Sequence, residues 1–346
     1  MATTTFISTT IATVTMETAL FINTTQNLSI IIPTLSVAIP KCQFEAVSHP
    51  FVILLTIAYS AVIIVSLIAN IMVIHYAASR KKLSRSFDRL IVNMAVADIL
   101  DAMVGIPSNI AYFYMGIKWF PGVLGELTCK TINFGTNISI AASGFTLVAI
   151  AVDRYFAIAH RSKRSLSRRT VKFSILMIWV ISGMIFSSDY YRFRVLEMSG
   201  HIVCLQDRRM WGNKAIEIDT IVKFVLNYGF PLSAMAILYG LIIRYLWRRK
   251  APGYASDSIE RKIHLQRRNS VKKLMTIVFV FAFCWFPVHV MHFLAAFNAD
   301  VFLCTSIYIP LTCIWLAHAN CAINPCLYLY LSRRNRASPA KPSNTF

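Results

Sequence analysis

The sequence predicts an all-α protein, built as a bundle of seven membrane-spanning helices. Of its 346 residues, 56% are hydrophobic and 14% are charged, whereas a soluble globular chain is about 45–50% apolar and about 25% charged. The apolar residues are also grouped into seven runs, each at or near the roughly 20 residues that cross a bilayer. In order, the runs are Phe51–Ala77, Leu90–Met115, Thr131–Val152, Val171–Phe186, Ile218–Ile243, Leu274–Phe297 and Val301–Leu331.

The positive charges fall mostly on one side of this bundle. With an extracellular amino terminus, 26 of the 35 Lys and Arg residues lie in the three cytosolic loops, the adjoining helix ends and the carboxyl-terminal tail. This bias is typical of cytosolic loops, so it places the amino terminus outside and the carboxyl terminus in the cytosol. The net charge of +20 does not indicate nucleic-acid binding, because the basic residues are divided among loops between spans.

The chain divides into three regions. Residues 1–47 form an extracellular tail, rich in Thr and Ser, that is predicted to be disordered and glycosylated at Asn23 and Asn27. Sequons that arise by chance are the alternative. The tail lacks the basic and compact apolar segments of a cleaved signal peptide. Residues 48–332 form the seven-span domain, and residues 333–346 form a short basic cytosolic tail.

The first two spans carry polar groups that are costly in hydrocarbon unless they face a polar interior. Asn70 lies in the first span, and Asp98 and Asp101 lie in the second. Asp98, with hydroxyls and amides of facing helices, suits a water cluster or a small hard cation such as sodium; a purely structural network is the alternative. Asp101 lies one turn nearer the outer side, with His318 as a candidate partner. It either lines an extracellular cavity or is a protonated hydrogen-bonding residue.

The third span begins near a cysteine that faces the oxidising side. Cys129 and Cys204, the latter in the long loop after the fourth span, are the expected disulfide. The bond would fix the loop Asp189–Asn213 over the mouth of the bundle. Cys42 and Cys304 are a second candidate pair.

The inner end of the third span carries Asp153-Arg154-Tyr155 before a basic loop. Such charges alone are typical of an interfacial anchor. Several later spans are interrupted by proline, which bends a helix and frees a carbonyl. Pro287 follows Trp285 and Phe286, so bulky rings stand beside a flexible point.

Together these motifs resemble those of the rhodopsin-like (class A) G-protein-coupled receptors, over nearly everything from Phe51 to Leu331. The resemblance is specific because of the order and spacing of the motifs. It is carried by Asn70, Ala95-Val-Ala-Asp98, Cys129, Asp153-Arg154-Tyr155, Trp179, Pro231, Tyr239, Cys284-Trp285-Phe286-Pro287 and Asn324-Pro325-Cys-Leu-Tyr328.

The resemblance implies a receptor of the plasma membrane that has no catalytic residues and needs no cofactor. Arg154, held by Asp153 at rest, would be released on activation to meet the carboxyl terminus of a Gα subunit. The implied coupling and switch residues are Asp153, Arg154, Tyr155, Tyr239, Trp285, Pro287, Asn324, Pro325 and Tyr328. The residues implied for an allosteric sodium ion are Asp98, Ser143, Asn320 and Asn324.

Within the class, Phe145–Tyr155 is similar to neuropeptide receptors of the neuropeptide FF, neuropeptide Y, tachykinin and orexin kind. Thr136 stands where amine receptors carry Asp, and His318 where opsins carry a Schiff-base lysine, so neither amines nor retinal are expected. A peptide with a basic end would bind acids at the mouth. The candidate ligand residues are Asp101, Thr136, Gln206, Glu217, Asp219, Asp300, His289, His292, Phe293 and His318.

The sequence departs from the family pattern at the cytosolic side. Arg267 is basic where some members carry an acid, so the restraint on Arg154 is expected to rest on Asp153. The tail lacks a cysteine for palmitoylation, which leaves recruitment of arrestin and a receptor kinase open, with Ser332, Ser338 and Ser343 as candidate kinase sites. A receptor for a lipid or other small ligand is one alternative. A transporter, which should show repeated halves, is another.

Overall fold

The computed structural model describes residues 47–79, 86–158, 166–198, 200–207, 212–248 and 258–334. The sequons at Asn23 and Asn27, most of the amino-terminal tail and the carboxyl-terminal tail after residue 334 lie outside these residues. The helices are α1 (His49–Ser79), α2 (Ser86–Leu100), α3 (Ile106–Met115), α4 (Gly122–Ile158), α5 (Arg168–Ile185), α6 (Ser187–Arg192), α7 (Gly212–Phe224), α8 (Phe230–Arg248), α9 (Ser258–Phe297), α10 (Ala299–Cys304) and α11 (Tyr308–Arg334).

These helices form the predicted spans. The first span is α1, the second α2 and α3, the third α4, the fourth α5, the fifth α7 and α8, the sixth α9 and the seventh α11. By length and composition, five of these spans are long and apolar enough to cross a membrane: the first, second, third, fifth and sixth. The seventh span begins at Tyr308 and not near Val301, because residues 299–304 form the separate helix α10.

Two spans contain a π turn, in which backbone hydrogen bonds join residues five apart and not four apart. In the second span the turn is Asp101–Gly105, and in the fifth it is Val225–Gly229. Each π turn lies just before a proline, Pro107 and Pro231 respectively, whose missing N–H cannot continue the regular hydrogen-bond ladder. The side chains around each turn are therefore rotated relative to those of an unbroken helix.

The outer end carries a β-hairpin that the all-α prediction did not include. Strand β1 (Phe193–Met198) pairs antiparallel with β2 (His201–Gln206), and Gly200, at φ +76°, supplies the left-handed residue of the turn. The loop predicted from Asp189 also starts later than expected, since α6 extends the helical structure to Arg192. The end bearing the hairpin is called the outer end below, and the opposite end the inner end.

The interior consists of two main clusters, one in each half of the bundle. The inner cluster includes Tyr239 and Tyr328, and the outer cluster includes Tyr59 and Ile106. The outward surface is apolar too: Phe279 is 71% exposed on the sixth span. Large exposed apolar patches are rare on soluble monomers, so this outward surface is suited to contact with lipid.

Candidate functional site

At the inner end, Asp153 and Arg154 form an ion pair between neighbouring residues. Asp153 is fully buried, and its Oδ2 accepts hydrogen bonds from Nη2 of Arg154 at 2.5 Å and from Nε at 3.1 Å. The arginine side chain is 24% exposed. Among the described residues, Asp153 is the one that forms an ion pair with Arg154.

Two residues at the start of the second span hold this pair, and neither belongs to a motif recognised in the sequence. Ser86 is buried and its Oγ donates to Oδ1 of Asp153. The guanidinium carbon of Arg154 lies 4.3 Å from the centre of the Phe87 ring, within the range of a cation–π contact. The Phe87 ring in turn lies 6.1 Å from Tyr328 of the seventh span. We call Ser86, Phe87, Asp153 and Arg154 the inner clamp.

The other predicted coupling residues lie near the inner clamp or farther towards the outer end. Tyr239 and Tyr328 are buried in the inner cluster, and Tyr155 packs against the same cluster. Pro325 lies within α11 and Pro287 within α9. The inner face therefore joins residues of the second, third, fifth and seventh spans around one arginine.

A small cavity lies between the second, third, sixth and seventh spans. Its lining is Asp98, Asp101, Ile140, Ser143, Phe281, Trp285, Ala317, Asn320 and Cys321. Ser143 donates to Oδ1 of Asp98 at 2.7 Å. The second oxygen of Asp98 and the amide nitrogen of Asn320 are buried and have no hydrogen-bond partner in the described residues.

Three of the four residues predicted to hold sodium thus line one cavity. The fourth, Asn324, lies beside it, donating from Nδ2 to Oδ1 of Asn320 at 2.8 Å. Oδ2 of Asp98 and Oδ1 of Asn324 are buried oxygens without a hydrogen-bond partner in the described residues. With the Ser143 hydroxyl they fit a small hard cation, which prefers oxygen ligands. No cluster of three or more His, Cys, Asp or Glu that suits a metal is found in the part of the chain described.

A row of aromatic rings connects this cavity with the outer end. Trp285 lies 6.4 Å from Phe281 and 6.2 Å from His289. His289 is 4.6 Å from Tyr228 of the fifth span. The row continues outward through Phe224, Phe293 and His292. A ligand that displaces the outer rings would act on Trp285 through direct contacts.

Asp101 and His318 meet at the outer edge of the cavity. Nδ1 of His318 lies 3.0 and 3.1 Å from the two carboxylate oxygens of Asp101, and both side chains are buried. Nε2 of the same ring lies 3.1 Å from Nδ2 of Asn109. The sequence analysis did not single out Asn109, because it depends on the π turn that lies between it and Asp101.

Asp219 takes part in a polar network between the fourth and fifth spans. Its Oδ2 is 2.8 Å from Nη1 of Arg192 and 2.8 Å from Nζ of Lys223. Lys223 also pairs with the buried Asp189, which accepts from Asn137 at 2.9 Å. A basic group of a ligand would therefore compete with two cations of the protein for Asp219.

The hairpin is fastened over the outer end by a covalent and a polar link. The predicted disulfide between Cys129 and Cys204 is confirmed. Oε2 of Glu126 accepts a hydrogen bond of 2.7 Å from the backbone N–H of Val195. Cys304 is also disulfide-bonded; its predicted partner, Cys42, lies outside the described residues.

The remaining candidate ligand residues are distributed around the mouth. Thr136 bonds its own helix, to the carbonyl of Ile132 at 2.8 Å. Gln206 ends β2, Glu217 is partly exposed on α7, and Asp300 is exposed on α10. In the contacts described, Gln206, Glu217 and Asp300 form no cluster with Asp101, whereas Thr136 lies beside Asp101 at Gly105.

Comparisons with a family model and with individual proteins agree with each other. Residues 69–328 match the family model described as "7 transmembrane receptor (rhodopsin family)". The chain is 27% identical to the tachykinin-like peptides receptor 86C of Drosophila melanogaster, over 86% of this chain and 61% of that protein. It is 29% identical to the human substance-P receptor (82% and 69%) and 30% identical to the neuromedin-K receptor of Cavia porcellus (84% and 66%). The chain spans about two thirds of the length of these relatives.

Proposed function

Because the chain belongs to the rhodopsin family of seven-transmembrane receptors, we propose that it binds an extracellular peptide and activates heterotrimeric G proteins. It is a multi-pass protein of the plasma membrane. The family consists of signalling receptors, so the protein acts by changing conformation and not by chemistry on a substrate. The observation that carries the proposal is the inner clamp, which holds Arg154 by contacts that a helix movement can break.

Activation would release Arg154 towards the G protein. The clamp joins the second and third spans, and Phe87 extends the contact to Tyr328 on the seventh. A ligand shifts such an equilibrium only by its differential affinity for the two states, and about 5.5 kcal/mol moves it from 1:99 to 99:1. The row of rings from Phe293 to Trp285 supports a path by which a ligand at the mouth acts on the bundle.

The ligand we propose is a peptide of the tachykinin type. The relatives are, by name, receptors for tachykinin-like peptides, substance P and neuromedin K. The outer end combines aromatic rings with polar groups, which suits a peptide better than a lipid. A lipid or other small ligand remains the second candidate, because the aromatic row alone would accept one.

Sodium is proposed as an allosteric ion of the resting state. The residues that would hold it are Asp98, Ser143, Asn320 and Asn324. Oδ2 of Asp98 and Oδ1 of Asn324 are buried and have no partner in the described residues. The ion would supply a positive charge between the second, third and seventh spans. By linkage, an agonist that closes the cavity weakens sodium binding by the same factor by which sodium weakens agonist binding.

Arrestin and a receptor kinase are proposed as further partners. The candidate kinase sites Ser338 and Ser343 lie outside the described residues, as does the side chain of Ser332. A mass-spectrometric map of phosphorylation before and after agonist treatment tests this proposal.

A ligand screen tests the proposed function. Cells that express the chain are exposed to amidated neuropeptides, including substance P and neuromedin K, while calcium and cyclic AMP are recorded. We expect at least one peptide to change one of the two signals. Matched cells that express Arg154→Gln provide the control. A response to lipids and to no peptide would contradict the peptide assignment.

Ser86→Ala is expected to raise ligand-independent signalling. A hydrogen bond to a charged group contributes about 1.5–3 kcal/mol, so removing the Ser86 hydroxyl should shift the resting equilibrium at least about tenfold towards activity. Basal nucleotide exchange, corrected for surface expression, measures this. Ser182→Ala is the matched control, since Ser182 is equally buried but bonds only the carbonyl of Ile178 on its own helix. Equal basal activity of the Ser86→Ala variant and wild type would remove Ser86 from the clamp.

A further inference from the structure

The cavity is bordered by two carboxylates of the same span. Asp98 and Asp101 both line it, and each is only 3% exposed. Asp98 belongs to the proposed sodium site. Nothing in that site accounts for Asp101, which is buried beside the same space.

The backbone makes room for Asp101 in this position. Asp101 opens the π turn, and Gly105 closes it. A Cβ atom at Gly105 would collide with the Asp101 carboxylate and would lie 2.7 Å from Cγ2 of Thr136. Glycine is therefore required for Asp101 and Thr136 to pack here, which marks the arrangement as a built feature of the span.

The hydrogen bonds around His318 determine where its proton lies. Nδ2 of Asn109 bonds the carbonyl of Gly105 at 2.9 Å and contacts Nε2 of His318 at 3.1 Å. Because a carbonyl only accepts, the Asn109 amide presents its NH₂ group here, and Nε2 must accept from it. Nδ1 then carries the proton and donates to Asp101. The Asp101 oxygens thus act as acceptors towards His318, as Oδ1 of Asp98 does towards Ser143.

The cavity is therefore rich in carboxylate oxygens that act as acceptors. Oδ1 of Asp98 accepts from Ser143, but Oδ2 is buried without a partner in the described residues. None of the lining residues is Lys or Arg. Burying an uncompensated charge is costly, so buried carboxylates are normally paired with a cation or coordinate a metal ion. Oxygen ligands of this kind select small hard cations.

We propose that Asp98 and Asp101 together form a two-carboxylate site for one small hard cation. The inference rests on the proposed sodium site and extends it by a second anionic group. Asp101 increases the affinity for the ion, and through His318 and Asn109 it connects the ion with the outer part of the second and seventh spans.

Sodium-dependent thermal stability of the purified full chain tests the proposal. Unfolding temperature is measured as NaCl replaces choline chloride at constant ionic strength. Asp101→Asn keeps an acceptor for His318 and removes the charge. We expect its half-saturating sodium concentration to rise about tenfold, a loss of about 1.4 kcal/mol. Asp98→Asn should abolish the sodium response, and Asp88→Asn, a buried acid at the inner end of the same span, should leave it unchanged.

Two results would overturn the proposal. One is an Asp101→Asn variant with the half-saturating concentration of the wild type, which would make Asp101 a hydrogen-bonding residue only. The other is a wild-type protein whose stability does not depend on sodium. If Asp101→Asn does not fold, the smaller Asp101→Ser takes its place. Since the measurement uses no peptide and no G protein, its failure is distinguishable from a failure of the proposed signalling function.

Discussion

Arg154→Gln is expected to abolish ligand-stimulated signalling while the receptor still reaches the cell surface. The guanidinium is the charged group of the inner clamp, held by Asp153 and covered by Phe87. Glutamine removes the charge that would meet the G protein but keeps much of the side-chain volume. We expect at least about a 100-fold loss of nucleotide exchange at saturating ligand, or about 2.7 kcal/mol.

The control for Arg154→Gln is Arg169→Gln. Arg169 is exposed at the inner start of the fourth span, so the same change of charge there tests for a general effect of basic residues. Ligand binding should be retained in both variants. Undiminished signalling by Arg154→Gln would count against the proposed role of the inner face.

Cys129→Ser and Cys204→Ser are each expected to impair folding and to remove ligand binding. The bond closes a separation of 75 residues, and a crosslink over such a loop contributes about 4 kcal/mol in the chain-entropy model. It also holds β2 against the outer end of the third span. Without it, the hairpin would keep hydrogen bonds only: the one from Val195 to Glu126, and backbone bonds from Cys204 to Ile117 and from Trp119 to Ile202.

Radioligand binding and surface expression measure the effect of the disulfide. Cys313→Ser is the matched control, because Cys313 is a free cysteine of the seventh span. The two single variants of the bond should behave alike. Normal ligand affinity in either of them would show that the hairpin needs no covalent anchor.

The fold was predictable from the sequence because the bilayer imposes a simple rule. Each span needs a long apolar run, and Lys and Arg remain on the cytosolic side. The disulfide was predictable from two cysteines on the outer side, and the pairing of Asp153 with Arg154 from the resemblance to the receptor family. The hairpin was missed although a signal existed: the polar Arg194 and Glu197 interrupt an otherwise apolar segment before Ser199-Gly200, which is a turn signal.

Other features depend on helix rotation, which apolar patterns in a membrane span do not fix. The π turn at Asp101–Gly105 sets the direction of Asp101 towards His318. In the sequence, Ser86 and Phe87 are ordinary residues at a helix start. Only the packing of the second span on the third shows their contacts with Asp153 and Arg154. Lys223 follows Asp219 by four residues, a spacing that predicts their pairing on one helix face, but its second pairing, with Asp189, depends on how the spans pack.

Nucleotide exchange by reconstituted receptor tests the central claim most directly. The purified chain is placed in lipid nanodiscs with purified heterotrimeric G proteins of each Gα class, and guanine-nucleotide exchange is followed with and without the peptides identified by the screen. The proposal predicts that a peptide accelerates exchange on at least one Gα class for the wild type and not for Arg154→Gln. Exchange rates that are the same with and without receptor and peptide, for every Gα class, would contradict it.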